Sequence, residues 1–344
     1  MELGIYNFGE LTPDPATGHS IPAHRRMRDL IDEIELADRV GLDVFGVGEH
    51  HRADFVVSSP AVVLAAAAAG TERIRLSSAV SVIASDDPVR VFQDFSTLDL
   101  LSDGRAEIMA GKGGFTESFP LFGCDLADHD ELFAEMLELL LQARDSEQIT
   151  WAGRHRPAID GLGVYPRPLQ ARLPIWVANT GNPKSAIRAG TLGLPLALGL
   201  IWDPPQRLAP VAKVHRRAAA RAGHGPQPPF SINGTGYIAE STEKAIGESF
   251  EPFAAIMNRI GKERGWEPLT RARYEETCAL EGPNFVGSPE DVAEKILYQH
   301  EIFGHDRTLI HFAIGSLAHA GVKRSIELLG TEVAPTVRRA LGRT

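Results

Sequence analysis

Glu49, His50 and His51 stand in succession, and their residue types admit two chemistries. A carboxylate beside imidazoles can move protons, because an ordinary imidazole titrates at about pH 6.5. The same three are metal-ligand types. Neighbours on a strand point to opposite faces, however, and no HExxH or HxH spacing accompanies them, so no metal is expected. If the preceding segment is a strand, Gly46, Gly48 and His50 share one face while Phe45 and Val47 share the other. Glycines beneath a histidine would leave space for a flat ligand to lie on backbone; they would equally fill a narrow barrel, with the histidines solvated in a loop. Ser77-Ser78-Ala79-Val80-Ser81 has unusually small side chains, which suit either the floor of a planar ligand or a tight packing layer. Lys112, between Gly111 and Gly113-Gly114, could meet a phosphate with its charge and nearby free N–H groups, or be a solvated lysine in a turn. Neither GxxxxGK[ST] nor GxGxxG is present to sharpen that reading. Asn179-Thr180-Gly181-Asn182-Pro183-Lys184-Ser185 reads as a polar turn running into a helix N-terminus. Such a terminus attracts anions through unpaired N–H groups and the helix dipole, and it also makes an ordinary capped connection.

Bringing these segments together requires a regular scaffold. Short apolar runs read as strands at 3–8, 43–50, 75–82, 106–112, 174–179, 195–201, 230–239 and 308–314. Between them lie helical patterns. Met27, Leu30, Ile31, Ile34 and Ala37 recur at helical spacing before Gly41, and Pro60 and Pro88 each open a helix, the second behind Asp86-Asp87 as a cap. Ser288-Pro289-Glu290-Asp291 starts another, with a capping serine, a first-turn proline and acidic residues at the dipole's positive end. Two stretches, near 144–173 and 261–287, break the rhythm and read as insertions; the second is a candidate lid. Eight strand–helix units in one chain imply parallel pairing and a closed (β/α)8 barrel over 1–344, with a doubly wound open sheet as the alternative. In a barrel, the residues above fall at the C-terminal strand ends, where active sites lie.

Composition narrows the function classes. The 344 residues carry 45 acidic and 35 basic side chains, a formal net charge of −10. That balance argues against a nucleic-acid groove or an anionic membrane as partner. No apolar run approaches the roughly 20 residues of a membrane helix. The N-terminus has neither a basic region nor a cleavage pattern, and two cysteines make no disulfide framework, so a cytoplasmic protein is expected.

The motifs taken together resemble the bacterial luciferase-like, flavin-dependent monooxygenases. The resemblance rests on Gly41 through His51, on Ser59-Pro60 with its Ala-rich helix, and on Asp87-Pro88-Val89-Arg90. It continues through Leu98-Asp99-Leu100-Leu101-Ser102-Asp103-Gly104-Arg105, Val164-Tyr165-Pro166-Arg167-Pro168 and Phe285-Val286-Gly287-Ser288-Pro289-Glu290. It implies a (β/α)8 barrel that uses reduced FMN, delivered by a separate flavin reductase, and O2 to oxygenate a small organic substrate. By position, His50 would be the active-site histidine beside the flavin ring and Glu49 its acidic neighbour. Ala79 and Val80 would form a non-proline cis peptide against the ring. Lys112, Asn179, Thr180, Gly181 and Ser185 would hold the phosphate. Lys112 stands where luciferase has an arginine and Gly111 where it has a reactive cysteine. The family includes deazaflavin-dependent oxidoreductases, so either ring system is open, and a non-catalytic flavin-binding protein is a further alternative. A phosphate-binding barrel lyase or isomerase is the reading from another enzyme class. The resemblance also implies a homodimer through the helices after the second and third strands, with Ala65–Ala69 and a Val91, Phe95, Leu98 stripe as the contacting faces.

Overall fold

The computed structural model describes residues 1–14 and 17–342. Eight parallel strands form the centre: β1 (Glu2–Asn7), β2 (Val44–Val47), β3 (Arg75–Ser78), β4 (Ala106–Gly111), β5 (Ile175–Asn179), β6 (Leu196–Leu200), β7 (Phe230–Ile238) and β8 (Arg307–His311). Each pairs with its successor. β8 pairs with β1 (Ile5 opposite Ile310, Tyr6 opposite His311), so the sheet closes on itself. The expected (β/α)8 barrel is therefore the fold, with strand bounds within a few residues of those read from the apolar runs.

Alternation of side chains divides the barrel wall into two cores. Outward residues such as Leu3, Ile5, Phe45, Val47, Leu76 and Ile108 pack under the helices in one large apolar cluster. Inward residues Val44, Ala79, Met109, Trp176, Ala197 and Leu309 pack with Tyr6, Val80 and Ala178 inside. At the N-terminal end the interior is ionic. Arg307 donates to Glu107 (2.7 and 3.1 Å) and lies over the Trp176 ring at 4.3 Å.

Four expectations change. The third strand does not run unbroken over 75–82: β3 stops at Ser78, and a separate two-residue strand, Ser81–Val82, pairs with β4 beyond a cis Ala79–Val80 peptide. The stretch near 144–173 folds as an antiparallel pair, Gln148–Trp151 with Ile159–Gly163. In 261–287 the helix Thr242–Arg264 persists beyond its expected end to a left-handed Gly265. There follow the helix Arg271–Cys278 and a strand Phe285–Gly287 that pairs with the end of β7. Finally, the Val91, Phe95, Leu98 stripe of helix Pro88–Leu101 is almost wholly buried in the main core, so it covers the barrel and offers no face to a second copy.

Candidate functional site

Gly46, Gly48 and Ala79 face the interior as their positions predict: a Cβ on Gly46 would lie 2.7 Å from that of Ala79. Just past β2, Glu49 is buried and fully engaged. One oxygen accepts from the Val82 N–H at 2.9 Å, and the other lies 2.9 Å from His51 Nε2. Glu49 thus clamps the segment just beyond the cis Ala79–Val80 peptide. Its other oxygen is taken up by His51.

His50 lies in an aromatic box. It stacks on Phe55 at 4.0 Å between centroids, with Phe8 at 4.9 Å and Phe115 at 5.5 Å. Burial, reinforced by the nearby His311, His51 and Arg52, lowers its pKa to about 4 against an opposing pull from Glu10. The ring is therefore neutral near pH 7, where an ordinary histidine would be about one-quarter protonated, and its Nδ1 is buried without a partner. The space expected above the glycines is filled. The Phe8 ring occupies the place where a Gly48 side chain would be, 2.3 Å from an added Cβ, and only about 10 Å³ of cavity remains beside His50, Val82, Gly113 and Phe115.

A latch explains the closure. Arg52 donates to Glu117 at 2.5 Å and to Glu263 at 2.7 Å, and its guanidinium lies over Phe115 at 4.5 Å. Arg259 binds Asp54, and Arg264 donates to the Gly114 carbonyl at 2.6 Å. The last turns of helix Thr242–Arg264 are thereby tied to loops 51–55 and 113–117 across the barrel mouth. Outside it, Thr116, Pro120, Gly123, Cys124 and Leu126 line an open cleft of about 520 Å³.

Lys112 leaves the end of β4, beside β5 (Met109 opposite Trp176, Ala110 opposite Val177), so it comes to the same end of the barrel as the polar turn. Burial and the charge of Arg188 push its ammonium below the usual lysine range, although it contacts the exposed Asp130. Arg188 belongs to helix Pro183–Thr191, which the turn introduces. Two cations therefore converge there. The turn itself is closed by its own side chains. Asn179 donates to the Asn182 carbonyl (2.8 Å) and accepts from Gly181 N–H (2.7 Å), while Asn182 caps the N–H groups of Lys184 and Ser185. Gly181, at φ +107°, takes a backbone conformation side chains rarely permit. Thr180 is exposed.

The sequence reading did not single out Phe8, Glu10, Phe55, Phe115, Arg52 or His311. Their signal was available in part: alternation along β8 from Leu309 puts His311 inside, at the strand end. The chemistry present fits a planar, hydrogen-bonding ring with an anionic tail. His50 Nδ1, His311 Nδ1 and Glu10 Oε2 are buried without partners, and Lys112 at the end of β4 feels the charge of Arg188 from the helix after β5. Phe8 and the 113–117 loop fill that space in this conformation.

A closed barrel whose acidic, imidazole and cationic side chains gather at the strand C-termini has the architecture of a mouth-site enzyme. The profile of the luciferase-like monooxygenase family matches residues 1–306, and the chain belongs to that family. It is 27% identical to limonene 1,2-monooxygenase of Rhodococcus erythropolis over 324 residues, 91% of this chain and 82% of that one. Among solved structures it is similar to the monooxygenase RslO1 from Streptomyces bottropensis (TM-score 0.85, 22% identity, 97% and 99% of the chains). It is also similar to the oxygenating constituent of 3,6-diketocamphane monooxygenase of Pseudomonas putida, solved with FMN (0.77, 22%, 97% and 98%). An F420-dependent secondary alcohol dehydrogenase shares the fold as well (0.75, 19%, 98% and 100%). The protein is accordingly an oxidoreductase of this family. No helix among the described residues is long and apolar enough to cross a membrane.

Proposed function

We propose that the protein is a cytoplasmic monooxygenase that takes reduced FMN from a separate reductase and, with O2, oxygenates a small organic substrate. The observation that carries this reading is the unpartnered, neutral His50 at a mouth where the Ala79–Val80 backbone and the Lys112–Arg188 cation pair also converge. Reduced FMN, when bound, supplies the electrons that activate dioxygen. Lys112 and Arg188 hold its phosphate, with Asn179, Thr180, Gly181 and Ser185 shaping the turn beside it. Ala79 and Val80 floor the ring, and Glu49 fixes that floor through Val82. His50 serves as a neutral hydrogen-bond partner, since a group with pKa about 4 is a weak base near neutrality. Phe8, Phe55, Phe115 and the latch exclude water.

Absorbance and fluorescence titration with FMN and with a deazaflavin, each oxidised and reduced, test the reading. Binding at micromolar levels, with oxygen uptake by the reduced FMN complex, supports it; absence of binding by either cofactor ends it. His50→Ala is expected to retain binding while diverting turnover to hydrogen peroxide; unchanged coupling removes His50 from its role. The likeness to the F420-dependent dehydrogenase fold favours a second reading, a deazaflavin-dependent oxidoreductase, which oxygen-insensitive turnover with that cofactor would select. A homodimer is part of the proposal, formed through the exposed Val62 of helix Pro60–Ala68 and Leu100 and Leu101 of helix Pro88–Leu101; light scattering showing only monomer would end that part.

A further inference from the structure

We propose that Glu10 and His311 are a second functional pair of this site, His311 acting as the proton acceptor toward the bound substrate and Glu10 as its positioning residue. The inference rests on the mouth being the active site, as argued above. His311 is the last residue of β8, and Glu10 follows β1, its strand neighbour in the closed barrel. Both are about 99% buried, and His311 Nε2 lies 3.0 Å from Glu10 Oε1. Such a carboxylate–imidazole pair costs free energy to desolvate, and nothing in the barrel wall requires it.

The surroundings point it at the site. The His311 ring stacks on Tyr6 (5.1 Å, 24° between planes) and meets Phe8 at 4.6 Å, while Phe8 in turn meets His50 at 4.9 Å. One phenyl ring therefore separates the two imidazoles, and it is the ring that fills the space beside Gly48. A ligand displacing Phe8 reaches His50 and His311 together. The titratable groups facing His311 are Glu10, Tyr6 and His50. The pair is at hydrogen-bond distance without hydrogen-bond alignment, and both ring nitrogens and Glu10 Oε2 lack partners. Such looseness is common before a ligand tightens a catalytic site.

A small ring rotation lets Nε2–H donate to Glu10 Oε1, which selects the tautomer with Nδ1 as acceptor. Nδ1 then takes the proton the substrate releases, the bonding pair staying on the substrate. The imidazolium is balanced by the Glu10 carboxylate and passes its proton to solvent on product release. His50 is ill-suited to that task, being held neutral as a weak base.

The test uses the full chain with Glu10→Gln and His311→Gln. Nitrogen-15 NMR of the cofactor-free protein is expected to show one His311 tautomer in the wild type and a mixture in Glu10→Gln; an unchanged pattern overturns the pairing. In turnover, His311→Gln is expected to lose about 100-fold in kcat. Glu10→Gln is expected to lose about tenfold, with flavin affinity and substrate KM changed less than about threefold. Equal kcat, or a parallel loss of flavin affinity, overturns the catalytic role. The near-isosteric Glu10→Gln carries the test if His311→Gln does not fold. A wild-type protein that binds no flavin ends the proposed function instead, and the tautomer result alone then decides the pair.

Discussion

His50 shows how a side chain's neighbours decide its chemistry. An exposed histidine at this position would be partly charged near neutrality, but three aromatic rings and a second imidazole keep this one neutral. The same packing makes Gly48 a steric requirement. An alanine there would set its methyl 2.3 Å from Phe8 Cδ1 and 3.0 Å from the Ala79 carbonyl, and the carbonyl cannot retreat as a ring can. Gly48→Ala is expected to cost about 1–3 kcal/mol of stability, read as a lowered urea midpoint. A midpoint equal to wild type would mean that Phe8 leaves its place freely and that the mouth is already open in solution.

At the scale of elements, what closes the mouth is the end of one helix. Arg52, Arg259 and Arg264 tie it to two loops through contacts that are mostly half-exposed, and each such pair is worth roughly 0–1 kcal/mol. The latch is therefore weak enough to open during each cycle. Arg52→Ala removes three carboxylate contacts (Asp54, Glu117 and Glu263) and the cation over Phe115, and is expected to raise the rate of flavin association about fivefold in stopped-flow fluorescence, with more hydrogen peroxide released per turnover. An unchanged rate at low salt would show that the helix end does not gate access. Strand ends were legible in the sequence because alternation and glycine placement are local; that is why Gly46, Ala79, Lys112 and the Asn179 turn come to one end as read. The latch and the Glu10–His311 pair were not, because they depend on barrel closure and on where a helix ends relative to distant loops. Phe8 read as an ordinary strand residue, and only the neighbouring Gly48 gives it a place inside the mouth.

The whole barrel carries buried ion pairs and buried neutral imidazoles, and pH acts on them differently. At the bottom, Glu107 and Arg307 are almost fully buried, and the carboxylate raises the guanidinium's pKa. Glu107→Gln leaves that buried cation with only the half-exposed Glu2 carboxylate, 2.7 Å from its Nε, and is expected to cost about 3 kcal/mol by urea unfolding. Toward acid pH, burial acts in two senses: it lowers His50 and His305, which costs stability as pH falls, and it raises the Asp86 carboxyl to about 6, which offsets part of that loss below pH 6. Burial lowers His50 to about 4 and His305 to about 3, whereas in the unfolded chain both titrate at about 6.5. Between those values the unfolded chain binds protons that the folded chain refuses, so stability must fall as pH falls. The contribution is complete above about pH 6.5, is lost progressively down to about pH 4 for His50 and lower for His305, and then levels off. For His50 alone the loss is on the order of 3 kcal/mol. Urea midpoints between pH 7.5 and 4 are expected to be flat at the upper end and to decline below 6.5. His50→Phe, which keeps an aromatic ring against Phe55 but cannot take a proton, is expected to make that decline shallower. A variant whose midpoint falls as steeply as the wild type's would show that His50 is solvated, and with it that the mouth is not the dry, closed chamber that oxygen chemistry requires.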